Sequence, residues 1–114
     1  MRVAVIGSRT LSVEHLDLYL PKETSLILSG GAVGVDSCAR IYALRHGIPL
    51  KEYLPDYRRC GRRAPLERNL LIIQNADLVL DFWDGRSRGT AFVIRSCKKM
   101  NVPVHVYLPD HCVQ

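Results

Sequence analysis

Residues 78–90 read "LVLDFWDGRSRGT", and the fold turns on how this stretch is divided. The run "LVLDF" (78–82) is short and apolar, with a β-branched residue near its start, and reads as a buried strand. Gly85 and Gly89 then interrupt the chain, and a helix is expected from Thr90 onward. A turn needs the glycines but not Arg86 and Arg88. A strand ending and a helix beginning here would bring flexible backbone amides, two guanidinium groups and a helix N-terminus to one point, which describes an anion site.

Working outward, the helix that follows should stop at "MNVP" (100–103), with Asn101 in the left-handed C′ position and Pro103 unable to continue it. The next run, "VHVY" (104–107), is a strand candidate. Upstream, Val35 to His46 reads as a helix closed by "HGIP", where Gly47 and Pro49 repeat the same device. A helix opening with Pro65 in its first turn places Leu66, Leu70 and Ile73 on one face. Leu71 and Ile72 add more apolar surface than one face requires; a second copy of the chain or the monomer's own core would cover the excess. Further strands are expected at "VAVI" (3–6), "LIL" (26–28) and "LKEY" (50–53), the last with a charged pair suited to a sheet edge. Between the first two of these, Ser12 as N-cap, a Leu11–Leu16 staple and Pro21 as a stop outline another helix.

Alternating strands and helices with short links are the mark of a doubly wound α/β fold. The expectation is one domain over residues 2–110, with a five-stranded parallel sheet in the order 3-2-1-4-5. Ligands of such sheets bind beyond the carboxyl ends of the strands, where the winding reverses, here between the first and fourth strands. The unusual stretches all fall on that edge: "GSRT" (7–10), "SGGAVGVD" (29–36), "PDYRRCGRRAP" (55–65) and "WDGRSRGT" (83–90).

Each loop suggests chemistry of its own. Gly30, Gly31 and Gly34 ahead of a helix let backbone approach a phosphate, although the run matches neither the dinucleotide fingerprint nor the Walker pattern. Gly7, Ser8 and Arg9 supply a turn, a hydroxyl and a guanidinium. Asp36 lies in a first helical turn, where a carboxylate is favoured by the dipole whether or not it acts in catalysis. Asp84 can bind a ribose hydroxyl, act as a base, or pair with Arg86 or Arg88. Trp83 and Tyr57 can stack on a base or simply pack. His15, His46, His105 and His111 fall outside these loops, so no nucleophile–histidine arrangement can be argued.

The totals bound the remainder. With 114 residues, 47% hydrophobic and 24% charged, the chain reads as a single globular domain with no room for a second lobe. No apolar run nears the roughly 20 residues of a membrane span. The opening "MRVAVIG" enters a strand-like run without the features of a secretory signal, so a cytoplasmic location is expected. The 4 cysteines contain no CxxC pair and read as free thiols, with Cys38 and Cys97 as small buried residues. Zinc held by His105, His111 and Cys112 fits no common ligand spacing, and no metal or cofactor is expected. The net charge of +5 favours anionic partners, and Arg58, Arg59, Arg62, Arg63 and Arg68 crowd into one run.

Taken together, "GSR", "SGGAVGVD", "PDY" through "APLERN", and "ADLVLDFWDGRSRGT" resemble the SLOG superfamily, nearest its small YspA or YpsA-related members, over residues 2 to 107. The resemblance implies a Rossmann-like three-layer sandwich that binds a nucleotide or nucleotide-derived ligand, with its phosphate between the glycine loops after strands two and four. It would place Gly7, Ser8, Arg9, Gly30, Gly31, Gly34, Asp36, Arg68, Asn69, Gly85, Gly89 and Thr90 around that ligand. The LONELY GUY phosphoribohydrolases of the same superfamily carry "PGGxGTxxE" with a catalytic glutamate, and this chain has Val93 at that spacing. Asp36, Asp56, Glu67 and Asp84 are then the carboxylates left to serve as acid or base. DprA, another relative, has phosphate loops like these with added domains for which this chain lacks room.

Three functions stay open at this level. One is a nucleotide-binding or sensing module, rich in donors and poor in a placed base. A second is a hydrolase of an N-glycosidic or phosphoester bond, marked by a raised pKa at Asp36 or Asp84. The third is single-stranded nucleic-acid binding along Arg58–Arg68, with Tyr53, Tyr57 or Trp83 as stacking platforms.

Overall fold

A computed structural model of the chain describes residues 1–108. Five parallel strands, β1 (Arg2–Gly7), β2 (Leu26–Ser29), β3 (Leu50–Glu52), β4 (Leu78–Phe82) and β5 (Val104–Tyr107), form a sheet in the order 3-2-1-4-5. The helices are α1 (Val35–His46), α2 (Tyr57–Cys60), α3 (Ala64–Asn75) and α4 (Arg88–Met100), and 3₁₀ turns occupy Leu16–Leu18 and Gly61–Arg63. This is the α/β, Rossmann-like architecture expected from the alternation of elements.

The two-residue period of the strands divides the core. Val3, Val5, Ile27, Leu80 and Phe82 face α1, which contributes Val35, Ala39 and Ala43. Ala4, Ile6, Leu28 and Val79 face the other way, toward Ile72, Ile73 and Ala76 of α3's end and Val93 and Cys97 of α4. β1 is central, and its register with β4 pairs Ile6 with Asp81 and Gly7 with Phe82. The two strands therefore end side by side and release their loops at one place.

Both helix stops work as the sequence indicates. Gly47 (φ 64°) and Asn101 (φ 59°) are left-handed, and the next amides close back onto the helices, Ile48 to Ala43 at 3.0 Å and Val102 to Cys97 at 2.9 Å.

Three expectations are corrected. No α-helix joins β1 to β2. The amide of Val13 donates to the Cys38 sulfur at 3.3 Å, which ties the would-be first turn to α1, and Pro21 lacks the N–H needed to extend the single turn at Leu16–Leu18. Ser12 caps nothing, although Leu11 and Leu16 are both buried. On α3 the buried positions are Ala64, Asn69, Ile72 and Ile73, while Leu66 and Leu70 are half-buried. Ile72 belongs to the monomer's core, and Leu71 remains 50% exposed. Finally, α4 starts at Arg88 and not at Thr90, so Gly89 sits inside its first turn.

Asp81 was not singled out by its sequence context, yet it is fully buried and neither carboxylate oxygen has a hydrogen-bond partner. Burial pushes its carboxyl up to about 8. Cys97, on the same face, is pushed up to about 11 by burial and by the Asp81 charge.

Candidate functional site

The loops after β1, β2 and β4, with the start of α3, enclose a crevice of about 220 Å³ at the carboxyl end of the sheet. Gly7, Ser8, Arg9, Asp36, Arg68, Asn69, Gly89 and Thr90 line it, all of them expected from the sequence. Ile6, Ala32, Pro65, Leu66 and Ser87 line it as well and were not foreseen. Of these only Ser87 had a readable signal, a hydroxyl residue two places before a glycine at the head of a helix.

Ser87 flanks α4 but makes no side-chain cap to it. Its hydroxyl donates instead to Thr90 Oγ1 at 2.8 Å and lies 3.0 Å from Ser8 Oγ. Ser8 Oγ in turn accepts the backbone N–H of Asp84 at 3.1 Å. Since the Ser87 proton is engaged by Thr90, the Ser8 proton goes to Ser87. The Thr90 hydroxyl hydrogen is then left over, and among the described residues it donates to none. Ser8 and Thr90 are buried and both line the crevice, so a group bound there is within reach of this donor. The first amides of α4 stand uncapped at the same point, where the helix dipole favours negative charge.

Asp36 and Arg68 form the opposite wall. Asp36 accepts the Ala32 amide at 3.1 Å, and burial raises its carboxyl above the usual range against the opposing pull of that bond and of the Arg68 charge. Arg68 donates through Nη1 to the Gly30 carbonyl at 2.7 Å and the Tyr53 carbonyl at 3.2 Å, so it fastens the ends of β2 and β3 together. Its Nε is buried without a partner. Burial pulls the guanidinium's pKa down while the Asp36 charge holds it up.

The other expected residues do not line the crevice, and several of them shape the loops around it. A Cβ on Gly30 would stand 2.6 Å from Arg68 Nη1 and 2.9 Å from Asp36 Oδ2, so glycine is what lets those two groups approach. Gly31 and Gly34 have φ of +73° and +78°. Gly85, with φ of +83°, makes the turn after β4, and Arg86 and Arg88 point into solvent without an ion-pair partner among the described residues. Asp84 organises that turn: it accepts the amides of Arg86 and Ser87, each at 2.8 Å, and the Thr10 hydroxyl at 3.1 Å. These bonds, the Ser87 amide first, hold its carboxyl below the usual range. Trp83 braces the same loop through Nε1 to the Ser87 carbonyl at 3.0 Å, and Tyr57 is exposed away from the crevice.

Among the four carboxylates considered for acid–base work, only Asp36 lines the crevice. Asp56 caps α2 by accepting the Arg59 amide, and Glu67 lies 3.6 Å from Arg63. Val93, at the spacing where a LONELY GUY enzyme carries its glutamate, is fully buried in the core. No cluster of three His, Cys, Asp or Glu residues able to hold a metal occurs among the described residues, and His111 and Cys112 lie outside them. Two hollows of about 330 and 540 Å³ flank the 3₁₀ turn at Leu16–Leu18 and are larger than the crevice. They lack its convergence of glycine backbone, hydroxyls and a helix N-terminus, and the donor set decides where an anion would bind.

No protein-family model matches this chain, and comparison with curated proteins and with solved structures returned no match. The molecule is thus defined by its own geometry: an α/β protein with a Rossmann-like sheet and a donor-lined crevice at the switch point. No described helix is long and apolar enough to cross a membrane.

Proposed function

We propose that the chain binds a nucleotide or nucleotide-derived ligand and acts as a ligand-binding or sensing module, with the phosphate at the head of α4. The observation that carries this reading is the unspent hydroxyl of Thr90 beside the uncapped amides of α4. An acceptor with several oxygens satisfies both at once. At about 220 Å³ the crevice has room for a phosphorylated sugar, with a base at its rim.

A thermal-shift panel at low salt tests it, with inorganic phosphate, AMP, ADP-ribose and NAD as separate additions. A ligand at about 100 times its Kd stabilises by about 2.7 kcal/mol, or roughly ten degrees for a domain of this size. A shift with one nucleotide and little with phosphate supports the proposal; a flat response to the panel ends it.

The raised carboxyl of Asp36 in the crevice favours a second reading, hydrolysis of an N-glycosidic or phosphoester bond with Asp36 as the acid. The same nucleotides, incubated with protein and assayed for free base and released phosphate, distinguish the two. Product that disappears in Asp36→Asn makes the chain an enzyme, and binding without product keeps it a module.

A further inference from the structure

A second basic surface lies outside the crevice. Between β3 and α3 the chain makes two short helical turns, α2 and Gly61–Arg63, and Gly61 takes a φ of +58° to join them. Arg58, Arg59, Arg62 and Arg63 are all exposed on these turns. Only Arg63 has an acidic partner among the described residues, Glu67 at 3.6 Å. Exposed arginines of one sign on so short a stretch of chain add little to the core and favour an anionic partner.

Two apolar groups stand among these charges, Leu54 at 69% and Tyr57 at 59% exposure. Beside them runs a groove of about 380 Å³, lined by Leu54, Arg59, Arg68 and Leu71 and by two carboxylates that are already engaged, Asp56 by the Arg59 amide and Glu67 by Arg63. Arg68 also lines the crevice, so the two depressions share a wall.

We propose that this surface binds single-stranded nucleic acid, with phosphates over Arg58, Arg59 and Arg62 and a base stacked on Tyr57. A row of guanidinium groups alone would suit any polyanion. The flat exposed phenol and its leucine neighbour favour a single strand, which presents a planar base beside every phosphate, over a polyanion such as polyglutamate that has charge and no ring. The proposal stands independently of the crevice reading, since Arg58, Arg59, Arg62 and Tyr57 do not line the crevice.

The test is fluorescence anisotropy of the full chain with a short labelled oligothymidylate. With three phosphates engaged, affinity should fall roughly twenty-fold between about 50 and about 200 mM salt. Replacing Arg58, Arg59 and Arg62 together by glutamate should abolish binding, and the milder glutamine set should weaken it at a thermal midpoint no lower than that of the wild type. Tyr57→Ala should cost about five-fold or more. No binding by the wild-type chain, binding that survives the charge reversal, or equal competition by polyglutamate of the same charge would each overturn the proposal. Loss of the nucleotide-induced thermal shift with retained strand binding would sink the crevice reading alone.

Discussion

The loops after β2 and β4 both looked like phosphate loops, yet their glycines exist for different reasons. In "SGGAVGVD" every glycine is demanded by its surroundings. Gly30 is hemmed in by Arg68 and Asp36, Gly31 combines a positive φ with Leu54 Cδ2 at 2.8 Å, and Gly34 combines one with the Arg9 carbonyl oxygen at 2.6 Å. In the loop after β4, Gly85 makes a left-handed turn, but a Cβ on Gly89 would meet nothing within 4 Å. Neither packing nor backbone angle asks for glycine there. A side chain at position 89 would meet open space, and since the residue lines the crevice its glycine leaves bare backbone there.

The sharpest way to break this contrast is Gly34→Ala. Its Cβ must strain both φ and a backbone carbonyl, so a loss of about 3 kcal/mol or more is expected in urea unfolding. A wild-type midpoint would mean that the first loop is as permissive as the second.

The strands beneath the loops sharpen it next. β2 ends in Ser29 and β4 carries Asp81 just before its end, and both side chains are buried without partners. Folded Asp81 holds its proton up to about 8, far above the unfolded carboxyl at 3.8. The native state therefore binds more protons between these values, and this group makes stability fall as pH rises from about 4 to about 8, then level off. Asp81→Asn should flatten that slope and stabilise the protein at pH 7 by on the order of 2 kcal/mol. A slope unchanged in the variant would place the titration elsewhere.

The smallest effect on stability and the most telling one on function belongs to Gly89→Ala. Alanine in a helical turn should leave the stability level or raise it, by about 1 kcal/mol at most. If the proposed ligand reaches the backbone at Gly89, which lines the crevice, the nucleotide-induced shift should meanwhile shrink. A variant that binds as well as wild type would remove Gly89 from the site.

Much of this was legible in the sequence because local rules and global topology agreed. "HGIP" and "MNVP" bound α1 and α4 at their true ends, and the alternation of strands and helices yields the observed order. What escaped reading depended on contacts distant in sequence. The bond from Val13 to Cys38 spans 25 residues and replaces a helix that Ser12 and Leu16 had suggested. Gly89 read as loop because glycine is a poor helix former, and only the assembled chain shows that it stands in a helix's first turn beside the crevice. Asp84 looked like a candidate base, and the turn around it fixes it as an anion that shapes the loop.

The bonds running from the Asp84 amide through Ser8 and Ser87 to Thr90 begin at a group that can never accept. The direction is set at Ser87: its single hydrogen goes to Thr90, so it must take the hydrogen of Ser8, and the row of hydroxyls runs one way toward the head of α4. The Thr90 oxygen at the end keeps one hydrogen to give and one lone pair to receive, so hydrogen-bond polarity there is ambivalent, and any selectivity for an anion falls to the helix amides and their dipole.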